Sequence, residues 1–133
     1  MRLKVLAVIL TFVSSMLTAS CGQQQVSFSK HVKPVLDAKC MECHDGSGEG
    51  SEKTDLILTS YEDLMKGTKY GPVVVAGNSV TSTLFRTVAH LTATKIQMPP
   101  HHDTSLAKGR AEALTDKEIE AIKNWIDQGA MDN

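Results

Sequence analysis

The stretch Lys39-Cys40-Met41-Glu42-Cys43-His44-Asp45 decides how the rest of the chain is read. Two cysteines three apart in a helical turn project to one side. The next residue, His44, places an imidazole beside the two sulfurs. Upstream, Phe28, Val32, Val35 and Leu36 recur at helical spacing, so a first helix over about Phe28–Lys39 leads straight into the five residues. Ser27 or Ser29 is its candidate cap. Pro34 inside it predicts a kink or a late, tight start.

Cys-x-x-Cys followed at once by His is the attachment signature of c-type haem. Each sulfur adds to one vinyl group of the porphyrin, and the histidine gives its nitrogen to the iron as proximal ligand. The rival uses of a Cys-x-x-Cys pair are a redox dithiol and half of a zinc site. A dithiol of the thioredoxin kind expects a βαβ context that the pattern lacks. A zinc site needs two more ligands, and the adjacent His101-His102 do not have finger spacing.

The second axial position separates an electron carrier, with a tightly held thioether, from a ligand binder with an open position. Met98 stands before Pro99-Pro100 in a polar stretch. A residue before proline favours an extended backbone, which suits a side chain reaching from a loop. Met98 is therefore the candidate distal ligand, with Met65 and His90 in reserve. His101 and His102 are expected to face solvent.

Beyond the motif the pattern is mostly helical, with long loops. Asp45–Thr54 is rich in Gly, Ser and Glu and reads as an exposed loop. Leu56-Ile57-Leu58 is an extended apolar segment. Ser60–Gly67 carries a capping residue at one end and a Gly stop at the other. Val73–Val75 reads as a brief extended run, and Val80–His90 as a helix with Leu84, Phe85 and Val88 inward. Lys95–Leu106 has no clean period. Leu114-Thr115-Asp116-Lys117-Glu118-Ile119 combines a capping box with a staple, and opens a last helix whose apolar face is Ile119, Ile122, Trp125 and Ile126. Gly129 is its stop. Trp125 reads as core. A backbone carbonyl at Gly71-Pro72 is the candidate acceptor for the proximal histidine.

The chain has 133 residues, 41% hydrophobic and only 5% aromatic, with a formal charge of −1. One ordinary domain fits in that length. The near-neutral balance speaks against a nucleic-acid partner. Residues 1–20 read as a secretory signal: Arg2 and Lys4 lead an apolar run from Leu6 to Val13 that ends in small residues. Leu17-Thr18-Ala19-Ser20-Cys21 is similar to a bacterial lipobox, which implies a lipidated Cys21, a polar tether over 21–27 and a domain over 28–133. Cleavage before Cys21 removes two of the fourteen basic side chains and none of the fifteen acidic ones, leaving 113 residues with a formal charge of −3. The three cysteines are thus divided between lipid (Cys21) and haem (Cys40, Cys43).

The span from about Phe28 to Ala130 resembles a class I mono-haem cytochrome c, and in detail the compact planctomycete-type bacterial cytochrome c domain. The matching pieces include Pro34-Val35-Leu36, Cys40-x-x-Cys43-His44, Gly67, Gly71-Pro72, Gly77-Asn78, Met98-Pro99-Pro100 and Trp125-Ile126-x-x-Gly129. The resemblance implies a mainly α, cytochrome c-like fold with helices packed around one covalent haem c, and first and last helices that cross. It implies Cys40 and Cys43 as attachment points, with His44 and Met98 as iron ligands. The chain departs from the compact pattern over Pro100–Leu114, an insertion expected to shield or orient the Met98 side. The expected function is single-electron transfer between redox partner proteins by an exported, monomeric, lipid-anchored periplasmic carrier, rather than an enzyme. A haem-based ligand sensor and an electron-transfer subunit of a larger complex are the alternatives.

Overall fold

The computed structural model describes residues 24–133. Residues 1–20, which read as a secretory signal, and Cys21 lie outside the described residues. Ser27 caps the first helical segment, its hydroxyl accepting from the Lys30 amide at 3.3 Å. The segment opens with a π-helical turn, Phe28–Val32, and continues as α1, Lys33–Lys39. The start is late, as Pro34 requires, but it is wide rather than tight. The Lys33 amide reaches back to the Phe28 carbonyl, and Pro34, which has no amide hydrogen, falls within the first two positions of α1.

After Cys40 the chain forms α2 (Met41–His44), α3 (Glu49–Thr54), α4 (Tyr61–Lys66), α5 (Thr83–Val88), a 3₁₀ turn (Thr94–Ile96) and α6 (Asp116–Asp127). Among the described residues there is no strand, only a single bridge between Thr68 and Gly71. The fold is mainly α, and α6 packs against both the Phe28–Val32 turn and α5.

The expected loop over Asp45–Thr54 is a turn followed by helix α3. Asp45 organises the turn, its carboxylate accepting from the Ser47 and Gly48 amides at 2.8 Å each. Glu49 and Glu52 then lie in the first turn of α3, where the helix dipole favours negative charge. Composition hid this helix because glycines at 48 and 50, unfavourable for helix propensity, are needed for close approach to α2. A Cβ at Gly48 would stand 2.7 Å from Cys43 Cα.

The last helix follows its sequence signals. Thr115 and Glu118 form the capping box, and Leu114 and Ile119 join the core. Ile122 and Ile126 are fully buried, each contributing about 1.5–3 kcal/mol of apolar burial. That burial matters because a helix of this length is marginal on its own. Trp125 packs between Phe28 and Tyr61, with ring centroids 5.3 and 6.4 Å away, and its indole N–H donates to the Met131 carbonyl at 2.8 Å. Gln128 binds the chain before the first helix. Its side chain accepts from the Val26 amide and donates to the Gln24 carbonyl.

Candidate functional site

Helix α2 is one turn long and carries the motif. Its amides bond back to Cys40, from Cys43 at 3.2 Å and from His44 at 3.0 Å. Cys40, Cys43 and His44 consequently border one cavity of about 310 Å³. That volume lies at the lower end of the usual range for ligand pockets, about 300–1,000 Å³. Met98, Pro99 and Pro100 border the same cavity, as do Gly50 and Thr54 of α3 and Leu106, Ala107, Arg110 and Ala111 of the insertion. Residues 40–44 and residue 98 are far apart in sequence, and the fold brings them to one apolar enclosure.

His44 is buried, and its orientation is fixed. Nδ1 lies 3.1 Å from the Leu56 carbonyl. A carbonyl only accepts, so Nδ1 carries the hydrogen and Nε2 keeps its lone pair for a metal. The Leu58 amide donates to the His44 carbonyl at 2.9 Å, so the extended segment Leu56–Leu58 holds the residue at both ends. Leu56 thus takes the part expected of Gly71-Pro72. The Gly71 carbonyl is already committed to the Thr68 amide and hydroxyl. Burial holds the His44 imidazole below its ordinary pKa, opposed by the Leu56 hydrogen bond. A neutral imidazole is the form that binds iron.

Cys40 and Cys43 are not disulfide-bonded. Burial, then the neighbouring Cys43, Asp37 and Glu118, pushes the Cys40 thiol up to about 12. Burial and the carboxylates Glu42, Glu49 and Asp45 raise that of Cys43 as well. A redox dithiol works through a thiolate, which this setting disfavours. Among the described residues no three His, Cys, Asp or Glu side chains are placed to hold one metal ion. The donor set of two thiols, one oriented imidazole and one thioether fits an iron porphyrin instead.

The other sequence candidates fall elsewhere. Met65 packs against the hydrophobic core. His90 stacks on His101, with ring centroids 4.5 Å apart, and neither borders the cavity. His101 and His102 are half-buried rather than solvent-facing. His101 Nδ1 donates to the Pro99 carbonyl at 2.7 Å, and His102 Nε2 lies 3.0 Å from Gln97 Oε1. Both rings brace the backbone around Met98.

The insertion is tied down along its length. Lys39 Nζ pairs with Glu112 at 2.7 Å, the Lys108 amide donates to Glu49, and the Leu106 amide donates to the Lys95 carbonyl at 2.9 Å. The Arg110 guanidinium donates to the Gly109, Ala107 and Asp103 carbonyls. Three exposed apolar side chains, Tyr70 (79%), Leu106 (65%) and Ile96 (40%), stand along the cavity.

Residues 40–102 match the family described as planctomycete cytochrome C, an interval that opens on the first motif cysteine and takes in His44 and Met98. These residues are a planctomycete cytochrome C domain. A cytochrome c domain implies covalently bound haem c and ties the chain to haem redox chemistry. The fold is similar to that of the hydrazine synthase of Kuenenia stuttgartiensis, with a TM-score of 0.54 and 24% identity. That similarity covers 82% of this chain and 16% of the other, so the cytochrome-like chain spans a small part of the larger protein. No curated protein matches the sequence. Among the described residues no helix is long and apolar enough to cross a membrane.

Proposed function

We propose that the protein is a mono-haem c-type cytochrome that carries single electrons between partner proteins. One observation carries this reading: Cys40, Cys43, His44 and Met98 border a single apolar cavity. Cys40 and Cys43 would hold the haem by thioether bonds, and His44 and Met98 would bind its iron. The haem supplies a one-electron couple. Leu56 orients His44, while Pro99, His101 and His102 steady the Met98 segment. The insertion residues Leu106, Ala107, Arg110 and Ala111 line the cavity and would shield part of a bound haem from water. Low polarity and a thioether ligand both favour the reduced state. The exposed Tyr70, Ile96 and Leu106 are suited to lie against the edge of a flat apolar group.

The chain is further read as exported and anchored through acyl groups on Cys21, on the periplasmic side of a bacterial membrane. The signal-like residues 1–20 and the lipobox-like Leu17–Cys21 support this. A single acyl chain would bind only marginally, so a stable anchor needs more than one.

The experiment is the ferric absorption spectrum of the wild type and of Met98→Ala. The wild type is expected to show a thioether–iron charge-transfer band that the variant lacks. A wild-type haem spectrum without that band would remove Met98 from the iron and replace the carrier reading with a ligand-binding one.

A further inference from the structure

The Leu56 carbonyl accepts two hydrogen bonds. One comes from His44 Nδ1 at 3.1 Å, the other from the hydroxyl of Ser51 at 2.9 Å. Ser51 lies on α3 and is 4% exposed. Its Oγ also accepts from the Gly46 amide at 3.0 Å. A serine hydroxyl has one hydrogen to give. The Gly46 amide occupies a lone pair, so that hydrogen is directed at Leu56. Ser51 is therefore aimed at the same oxygen that orients the proximal histidine.

We propose that Ser51 is a positioning residue that tunes His44 by sharing its carbonyl partner. The inference rests on the haem reading above. A carbonyl oxygen that accepts fully from the imidazole Nδ1–H makes the ring a stronger donor to iron, because the hydrogen is drawn away from the ring. Ser51 donates to that oxygen and reduces its pull on the histidine hydrogen. His44 is then a weaker donor, ferric iron is less stabilised, and the reduction potential is higher than it would be without the serine. The Gly46 amide sharpens the effect by polarising the Ser51 hydroxyl. Ser51 itself touches neither the iron nor the porphyrin.

The test is the reduction potential of the haem-loaded full chain carrying Ser51→Ala, Ser51→Cys or Ser51→Thr. Ser51→Ala is expected to shift the potential negative while the Met98 charge-transfer band stays. Ser51→Cys keeps the side-chain shape at slightly larger size but has a weak S–H donor, so it shifts the same way by less. It is also the variant read if Ser51→Ala fails to take up haem. Ser51→Thr keeps the hydroxyl and holds the wild-type potential. The proposal is overturned if Ser51→Ala and Ser51→Cys hold the wild-type potential, or if Ser51→Thr shifts as far as Ser51→Ala. A wild-type chain with no haem spectrum would instead overturn the haem reading.

Discussion

Gly50→Ala separates a site built around close backbone approach from one that merely has a flexible glycine nearby. Gly50 is the second residue of α3 and borders the cavity. A Cβ built there would stand 2.5 Å from His44 Cε1, 2.6 Å from His44 Nε2 and 2.8 Å from the Cys43 carbonyl oxygen. Ordinary van der Waals contact begins at 3.4 Å, so the imidazole would have to retreat by about 0.9 Å. Functional side chains must be held within about 0.5 Å of their working geometry. The nitrogen displaced is the one left for iron. At an unhindered helical site the same change would stabilise by about 0.4–1 kcal/mol. Here overpacking should reverse the sign and cost about 1–3 kcal/mol. Urea denaturation of the haem-loaded protein reads the stability, and the ferric spectrum reads the ligation. The expected result is a lower midpoint at unchanged slope, with a perturbed spectrum. Glu52→Ala, an exposed position on the same helix, should stay within about 0.5 kcal/mol of wild type. Raised stability and a wild-type spectrum for Gly50→Ala would show that α3 does not need a glycine against His44.

Other perturbations follow from the same contacts. Trp125→Ala removes a side chain that is 1% exposed; it should cost about 3–5 kcal/mol in urea denaturation, with the ferric absorption spectrum unchanged. Thr115→Ala removes the cap of α6 and should cost about 0.5–2 kcal/mol by the same assay. Asp63 accepts from Lys66, Thr59 and Ser60, which together hold its carboxyl down at about 2. Its folded pKa is depressed, so its contribution is present above the unfolded value near 4 and disappears as pH falls through about 2. The stability difference between wild type and Asp63→Asn should therefore be present at neutral pH and close on acidification; a difference independent of pH would exclude this role.

The sequence showed the outer frame of the molecule more clearly than the inner one. The capping box at Thr115 and the apolar face of α6 were legible because both are local, with a period and fixed offsets. So was the convergence of Cys40, Cys43 and His44 on one cavity, because they lie within five consecutive residues. Helix α3 was not, because its glycines answer to a tertiary contact with Cys43 and His44 rather than to propensity. The acceptor for His44 is hidden for a related reason. Any backbone carbonyl can serve, so residue type does not distinguish Leu56 from Gly71. The polar stretch around His101 and His102 predicts solvent-facing rings, yet ring stacking and bonds to Pro99 and Gln97 half-bury them. Ser51 carried no sequence signal at all. A serine in a Gly, Ser and Glu run has the composition of a loop, and only the shared carbonyl shows its place.

The proposed function requires that Cys40 and Cys43 be joined to one haem whose iron is bound by His44. Mass spectrometry of the peptide containing residues 40–44, taken from protein purified in its native host without added haem, tests it most directly. The expected result is one peptide carrying a single haem across both sulfurs, one iron per chain, and no reaction of either cysteine with a thiol-alkylating reagent. Alkylation of both cysteines in a haem-free peptide would contradict it.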